Sequence, residues 1–222
     1  MEESNSVEHL NSSLTDLMTS LMVIFILLLL VFVHRTAGKD AAVTDVLLDR
    51  LRDDMKPYGF SDQTIRHDPR DRNAILVIVP DRLMNFETSK STLRPEGEQF
   101  LKEYIPDFAG VLCSDQFRSS VESIVVEGHS DLQAFQGLPA DESRNANLEL
   151  SQQRAMEVVK TALDDLKTTA QEEQDWFVAK LSSSGRGQQD CQAVDVQDEC
   201  RKVIFVIRVR ATDAEAIRAR MK

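Results

Sequence analysis

A single carboxylate stands at the edge of a long apolar segment near the N-terminus. Asp16 is followed by residues 17–33, in which Thr19 and Ser20 are the only polar side chains and no side chain is charged. A helix of this length at 1.5 Å per residue covers roughly 25 Å, slightly less than the hydrocarbon core of a bilayer at about 30 Å. A membrane-spanning helix therefore draws Asp16 to the edge of the hydrocarbon. An ionisable group is costly there, and it usually marks an ion or proton path.

Thr19 and Ser20 follow Asp16 at helical spacing, so a helix places the three side chains on one face. A small polar face beside a carboxylate suits close helix packing or a hydrated path better than contact with lipid. Two other interpretations stay open. Asp16 can instead be an acidic residue that interacts with the positive end of the helix dipole. A cleaved signal peptide is disfavoured by the length of the apolar segment and by the absence of Lys and Arg before it.

The composition limits the function of the rest of the chain. The 222 residues carry a net charge of −11, so we do not expect binding to nucleic acid, which requires Lys and Arg to neutralise phosphates. The 4 histidines and 3 cysteines show no zinc-binding spacing, and we predict no metal site and no cofactor. The sequence contains neither a phosphate-binding glycine loop nor a nucleophile elbow. These features indicate a protein that is not an enzyme.

The periodicity of apolar residues predicts the elements that position these groups. Residues 40–55 are predicted to form an amphipathic helix that stops at Pro57, followed by a charged linker over residues 62–73. The predicted strands are 74–79, 121–127, a short one after Leu181, and 201–210. The predicted helices are 97–112, kinked at Pro106, and 147–166, with Asn147 as a cap. This order predicts a single transmembrane helix followed by an α/β sandwich domain of βαβαββ order.

The same pattern divides the chain into five segments. They are a short tail at 1–13, a transmembrane helix at 14–34, an amphipathic helix and linker at 35–71, the α/β domain at 72–211, and a short basic helix at 212–222.

Three motifs of the domain resemble the OmpA-like peptidoglycan-binding domain over about residues 72–211. They are Phe86 with Leu93-Arg94-Pro95-Glu96-Gly97, then Glu127-Gly128-His129-Ser130-Asp131, then Leu150-Ser151-Gln152-Gln153-Arg154-Ala155. The resemblance implies that Asp131 and Arg154 together bind the diamino acid of the cell-wall peptide. An aspartate accepts hydrogen bonds from an ammonium group, and an arginine binds a carboxylate through two parallel bonds. The alternative is that the two side chains only pair with each other.

His129, Ser130 and Arg201 complete the peptidoglycan-binding residues that the resemblance implies. We expect His129 to shape the turn rather than to contact the ligand. The closing arginine pair of the family is here Arg201-Lys202, and a lysine cannot form the two-pronged contact of an arginine. Residues 132–146 form a longer loop than is usual between the two binding motifs, which predicts a shielded or reshaped pocket.

The segment from Thr15 to Phe25 resembles the aspartate-bearing helix of MotB-type stator subunits, which also carry one span, an amphipathic segment and an OmpA-like domain. Within that family, the short acidic N-terminus most resembles the subunits of the Zorya anti-phage systems, with flagellar stator subunits as the alternative. The resemblance implies a homodimer inside a ring of five MotA- or ZorA-like membrane subunits, a 5:2 complex of the bacterial inner membrane. Asp16, helped by Thr19 and Ser20, would carry the translocated ion, either a proton or Na⁺.

In this family the 40–55 helix can act as a plug that covers the channel until the wall is reached, and a plain spacer helix is the alternative. The resemblance places the domain in the oxidising periplasm, where Cys191 and Cys200 are expected to form a disulfide. Cys113 is left over, as a buried thiol or as a link between two copies.

The predicted orientation, with the N-terminus in the cytoplasm, conflicts with one sequence rule. Arg35 and Lys39 follow the span, and the positive-inside rule would place them in the cytoplasm. We follow the resemblance, because a domain that binds peptidoglycan has no ligand inside the cell. A purely structural tether, with Asp16 as a hydrated helix-end residue, is the competing function.

Overall fold

The computed structural model describes residues 2–87, 89–169, 171–191 and 197–210, with side chains described for 16–33, 43–87, 89–168, 171–191 and 199–210. The first element, α1, is one helix over Glu2–Met55, and it contains the predicted tail, span and amphipathic helix. Within the described part of the chain, Asp16–Val33 is the one segment that is long and apolar enough to cross a membrane. None of that segment is buried by the rest of the chain.

The helix ends near Pro57, as predicted. A 3-10 turn over Lys56–Tyr58 follows Met55, and Gly59 adopts a left-handed conformation with φ of 82°. Proline cannot donate a backbone hydrogen bond in a helix interior, and glycine adopts positive φ without strain, so this pair ends the helix.

The last turns of α1 pack against the domain. The buried apolar residues on this face are Val43, Leu47, Leu48, Leu51 and Met55. Polar contacts support the packing, since Arg52 Nε donates to the carbonyl oxygen of Ile65 at 3.0 Å and His67 Nε2 lies 2.9 Å from Asp45 Oδ1. The predicted amphipathic face therefore belongs to the core of the domain in this conformation.

The described strands are β1 Ile65–Asp68, β2 Asp71–Pro80, β3 Val121–His129, β4 Leu181–Gly185 and β5 Lys202–Val209. They form one sheet in the order β1-β2-β5-β3-β4, with β3 and β4 parallel and the other neighbours antiparallel. The predicted fold class is confirmed. The predicted linker at 62–73 is wrong, because these residues form β1 and the start of β2, with Ile65 buried and paired to Val77.

The remaining described helices are α2 Asp81–Met84, α3 Pro95–Cys113, α4 Ala140–Thr169, α5 Gln171–Lys180 and α6 Gln197–Cys200. Helices α4 and α5 make the crossover that parallel strands β3 and β4 require. On the helical side of the sheet, the rings of Tyr104, Phe108 and Phe205 contact one another with centroids 5.2–6.1 Å apart. Pro106 lies inside α3 as predicted.

Two predictions about α4 are wrong because the helix starts earlier than expected. It begins at Ala140, after Pro139, with Asp141 and Glu142 in its first turn, where acidic residues interact favourably with the helix dipole. The loop predicted over residues 132–146 is therefore shorter. Asn147 lies inside the helix and is no cap. The predicted helix at 212–222 lies outside the described residues.

Candidate functional site

A pocket lies where β2 and β3 end and β5 begins. Pro80 of β2 and His129 of β3 both pair with Lys202 of β5, so the three strand ends are neighbours. The pocket has a volume of about 480 Å³. Its walls are formed by Asp81, Phe86, Ser89, Ser130, Asp131, Gln133, Ala134, Phe135, Gln136, Asn147, Leu150, Arg154 and Arg201. It brings together the implied ligands Ser130, Asp131, Arg154 and Arg201.

Asp131 is buried in the pocket wall and is held by two donors. Its Oδ2 accepts a hydrogen bond from Arg201 Nη1 at 3.1 Å, and its Oδ1 accepts one from the backbone N–H of Gln133 at 3.0 Å. Arg201 also donates through Nε to Asp81 Oδ2 at 3.2 Å. The described residues contain no ion pair between Asp131 and Arg154, so the two implied ligands do not simply neutralise each other.

Arg154 extends from α4 and is only 5% exposed. Its Nε donates to the carbonyl oxygen of Lys90 at 3.0 Å, and its guanidinium carbon lies 5.0 Å from the ring centroid of Phe86. Burial lowers the pKa of Arg154, yet an arginine remains charged in a protein. Among the described residues, none accepts a hydrogen bond from its terminal nitrogens, so the group that remains available is a pair of donors suited to a carboxylate.

Close backbone packing sets the distance between β3 and α4. A Cβ atom on Gly128 would lie 2.0 Å from the carbonyl oxygen of Ser151, so only glycine fits here. The Ser151 hydroxyl accepts a hydrogen bond from the N–H of Gly187 at 2.9 Å. The glycine therefore lets β3, which leads to Asp131, approach α4 closely, and the serine ties α4, which carries Arg154, to the loop after β4.

The loop after Asp131 is fixed by polar residues of α4 that no sequence motif marks as part of the site. Asn147 Nδ2 donates to the carbonyl oxygen of Gln133 at 3.0 Å, and the N–H of Phe135 donates to Ser143 Oγ at 2.8 Å. Both α4 side chains are buried. The Ser130 hydroxyl lines the pocket, is buried, and has no hydrogen-bond partner among the described residues.

His129 lies behind the pocket and does not line it. Its Nδ1 is 3.3 Å from the carbonyl oxygen of Gln189, and its Nε2 is 3.8 Å from Glu127 Oε2. The interaction with His129, followed by the charge of Arg186, holds the pKa of Glu127 below its ordinary value. The expectation that His129 shapes the turn stays a prediction.

Cys191 and Cys200 form a disulfide with a Cα–Cα distance of 5.2 Å. Cys113 is a buried free thiol, and burial raises its pKa to about 12. The thiol therefore stays protonated near neutral pH, and the thiolate that attacks disulfides is scarce.

The predicted ion-carrying residues are separate from the pocket. Asp16, Thr19 and Ser20 lie exposed on α1 in the single chain. The described residues contain no cluster of His, Cys, Asp and Glu that could hold a metal ion.

No family model matches this chain. The Zorya protein ZorB of Escherichia coli is 23% identical over 181 residues, which cover 78% of this chain and 74% of that protein. The resemblance to MotB-type, OmpA-like proteins is confirmed. Similar solved structures include the cell wall anchor of the T6SS from Pseudomonas aeruginosa, at 20% identity and a TM-score of 0.45, covering 74% of this chain and 97% of that one. Another is the periplasmic domain of Helicobacter pylori MotB, at 16% identity and a TM-score of 0.45, covering 71% of this chain and 85% of that one.

Proposed function

We propose that this chain is a peptidoglycan-anchored, stator-type subunit of an ion-conducting complex in the bacterial inner membrane, acting in defence against phages. The observation that carries the proposal is the pocket itself. It holds a buried Arg154 with free terminal donors next to Asp131, on a chain whose first helix can span a membrane. The similarity to ZorB supports the defence role over the flagellar alternative.

The charges of the pocket fit a zwitterionic ligand. Arg154 and Arg201 are balanced by Asp81 and Asp131, so the ligand should bring both an ammonium and a carboxylate group. A carboxylate offers about four lone-pair sites, and two sites on Asp131 are taken by protein donors. The remaining sites would accept an ammonium group, and Arg154 would bind the carboxylate of the same amino acid. The diamino acid of the wall peptide has this chemistry.

The direction of α1 supports an anchoring role. Arg52 of α1 contacts Ile65. Closer to the N-terminus of the helix, Asp45 contacts His67. His67 pairs with Ile75, near the start of β2, whereas the pocket lies at the end of that strand. The helix therefore leaves the domain away from the pocket, and a ligand can reach the pocket from the side opposite the membrane.

The spanning helix would supply the ion path. In the proposed complex, two copies of the helix lie inside five subunits of a MotA- or ZorA-like partner, and Asp16 accepts and releases a proton between them. Thr19 and Ser20 would add oxygen ligands beside it, which also suits Na⁺. Each proton that moves down the membrane potential contributes about 2.3 kcal/mol per 100 mV. The fixed wall contact would let this energy rotate the ring rather than the anchor.

The role of the helix at 40–55 follows from its packing. Val43, Leu47, Leu51 and Met55 are buried against the domain, which supports a spacer rather than a plug. A plug would have to expose Leu47, Leu51 and Met55 before it covered a channel. A deletion of residues 40–55 that leaves ion leak unchanged would exclude the plug.

The test of wall binding uses the full-length chain in detergent and purified peptidoglycan sacculi. We expect the wild-type chain to co-sediment with sacculi, and we expect Asp131→Asn and Arg154→Leu to abolish most of that binding. Arg144→Leu is the matched control, because Arg144 is exposed on the same helix as Arg154 and does not line the pocket. Equal binding by Arg154→Leu and Arg144→Leu would contradict the proposal. Isolation from membranes with subunit counting tests the 5:2 complex.

A further inference from the structure

Arg201 follows directly on one half of the disulfide. Cys200 is only 2% exposed and ends α6, and the next residue contributes the guanidinium group that contacts Asp131. After Arg201 the chain enters β5, where Lys202 pairs with Pro80 and His129. The sheet therefore fixes the chain on the C-terminal side of Arg201, and the disulfide fixes it on the N-terminal side.

The other half of the disulfide stands on a loop that is tied to both ligand-bearing elements. The N–H of Arg186 donates to the carbonyl oxygen of Gly128 in β3 at 2.9 Å, and the N–H of Ser130 donates to the carbonyl oxygen of Gly187 at 2.8 Å. The same glycine donates its N–H to Ser151 of α4 at 2.9 Å. Cys191 is thus linked, through this loop, to the strand that leads to Asp131 and the helix that carries Arg154.

Arg201 itself joins two carboxylates. Its Nε contacts Asp81 and its Nη1 contacts Asp131, and its carbonyl oxygen accepts a hydrogen bond from the N–H of Asp81 at 3.1 Å. A guanidinium group reaches two carboxylates at once only if its backbone is held at the correct place, because the five donors have a fixed planar arrangement.

We infer that the disulfide between Cys191 and Cys200 positions Arg201, and that through Arg201 it holds Asp131 in the orientation that binds peptidoglycan. This inference rests on the proposed wall binding. The competing explanation is that β5 and Asp81 are sufficient to place Arg201, in which case the disulfide only stabilises the fold. The two explanations differ in whether the effects of losing the disulfide and losing Arg201 are coupled.

The experiment measures the affinity of the full-length chain for purified sacculi in four forms. They are the wild type, Cys191→Ser with Cys200→Ser, Arg201→Gln, and the triple variant. We expect the disulfide variant to bind about tenfold more weakly, because the loss of one hydrogen bond between charged groups has an effect of this size. We expect the triple variant to bind no more weakly than Arg201→Gln, because the disulfide acts through that side chain. If Arg201→Gln removes all measurable binding, Arg201→Lys replaces it in both the single and the triple variant.

Two results would overturn the inference. One is wild-type affinity in the disulfide variant, and the other is a triple variant whose loss equals the product of the two separate losses. Cys113→Ser controls for removal of a cysteine outside the disulfide and should bind like the wild type. If the oxidised wild type fails to bind sacculi, the proposed function fails, and this outcome is distinct from the other two.

A second measurement covers the case in which the disulfide variant does not fold. Dithiothreitol reduces the folded wild-type chain, so that each sulfur gains one electron and one proton while the dithiol closes its own disulfide. Circular dichroism then reports the fold, and sedimentation reports the binding of reduced wild type and reduced Arg201→Gln. The inference is supported if the reduced wild type stays folded and binds sacculi more weakly, and if reduction causes no further loss of binding in Arg201→Gln. Unfolding on reduction would overturn it, since the disulfide would then be a folding constraint.

Discussion

Arg154→Lys tests the pocket most directly, because it keeps the positive charge and removes the two-pronged geometry. The guanidinium group uses Nε for the carbonyl oxygen of Lys90 and leaves its terminal nitrogens for a ligand. The single ammonium nitrogen of a lysine would have to donate both to the carbonyl oxygen of Lys90 and to the ligand. Loss of one hydrogen bond to a charged group costs about 1.5–3 kcal/mol, so we expect sacculus binding to weaken roughly 10- to 150-fold.

The assay must separate binding from folding. Lysine also loses the stacking of the guanidinium group on Phe86, whose ring centroid lies 5.0 Å from the guanidinium carbon, and the full contact is worth about 0.5–2 kcal/mol of stability. Urea unfolding of the same protein measures that loss, and Arg144→Lys on the exposed side of α4 is the control for both measurements. If Arg154→Lys binds sacculi within about twofold of the wild type while it remains folded, the assignment of Arg154 as the carboxylate ligand is refuted.

Four further substitutions test other parts of the molecule. Asp16→Asn should abolish ion flux and phage protection and leave sacculus binding unchanged, whereas Asp16→Glu should retain part of both activities. Joint replacement of Cys191 and Cys200 by serine should lower the free energy of unfolding by about 2–3 kcal/mol, as measured in urea, because the closed loop has a sequence separation of 9. Leu51→Ala should lower it by about 2–5 kcal/mol, because that side chain is fully buried. Gly128→Ala should abolish folding by circular dichroism, because its Cβ would lie 2.0 Å from a backbone oxygen of α4.

Each of these four predictions has a control variant or an outcome that would contradict it. Normal phage protection by Asp16→Asn excludes the proton-carrier role. Val46→Ala is the control for Leu51→Ala, because Val46 is partly exposed on the same helix, and equal effects would argue against docking of α1. Gly110→Ala is the control for Gly128→Ala, since nothing lies within 4 Å of a Cβ at that position. An unfolding free energy unchanged by loss of the disulfide would contradict the loop-closure argument.

Local patterns predicted most of the fold. The apolar run at 74–79 and the near alternation at 201–210 identified β2 and β5, because buried strands require such residues. The first strand was missed because Ile65–Asp68 offers one buried side chain among charged ones, and its stability comes from pairing with β2. The start of α4 was missed because Ala140–Ala146 is mostly polar. In the folded chain Ser143 and Asn147 form hydrogen bonds with the neighbouring loop, and these tertiary contacts leave no local pattern in the sequence.

The motifs predicted some of the residues that line the pocket but not how they are paired. Asp131 and Arg154 were identified from the two motifs, and the structure brings both to one pocket. The partner of Asp131 is Arg201, 70 residues away in the sequence, and Asp81 shares that arginine. No local pattern marks Asp81 as a pocket residue, because only the antiparallel register of β2 and β5 brings it next to Arg201.

Two arguments about the orientation of the chain in the membrane lead to opposite conclusions. The positive-inside rule would place the side with Arg35 and Lys39 in the cytoplasm, because both residues closely follow the span. The disulfide favours an oxidising compartment for the domain, because cytosolic thiols are kept reduced. The positive-inside rule describes a statistical bias, so we give the disulfide more weight and predict a periplasmic domain. Alkaline phosphatase fused after Lys222 should therefore be active, and a green fluorescent protein fused there through the general secretory route should be dark. The reverse pattern, with Cys191 and Cys200 found as thiols in rapidly quenched cells, would place the domain in the cytoplasm and remove wall anchoring from the proposed function.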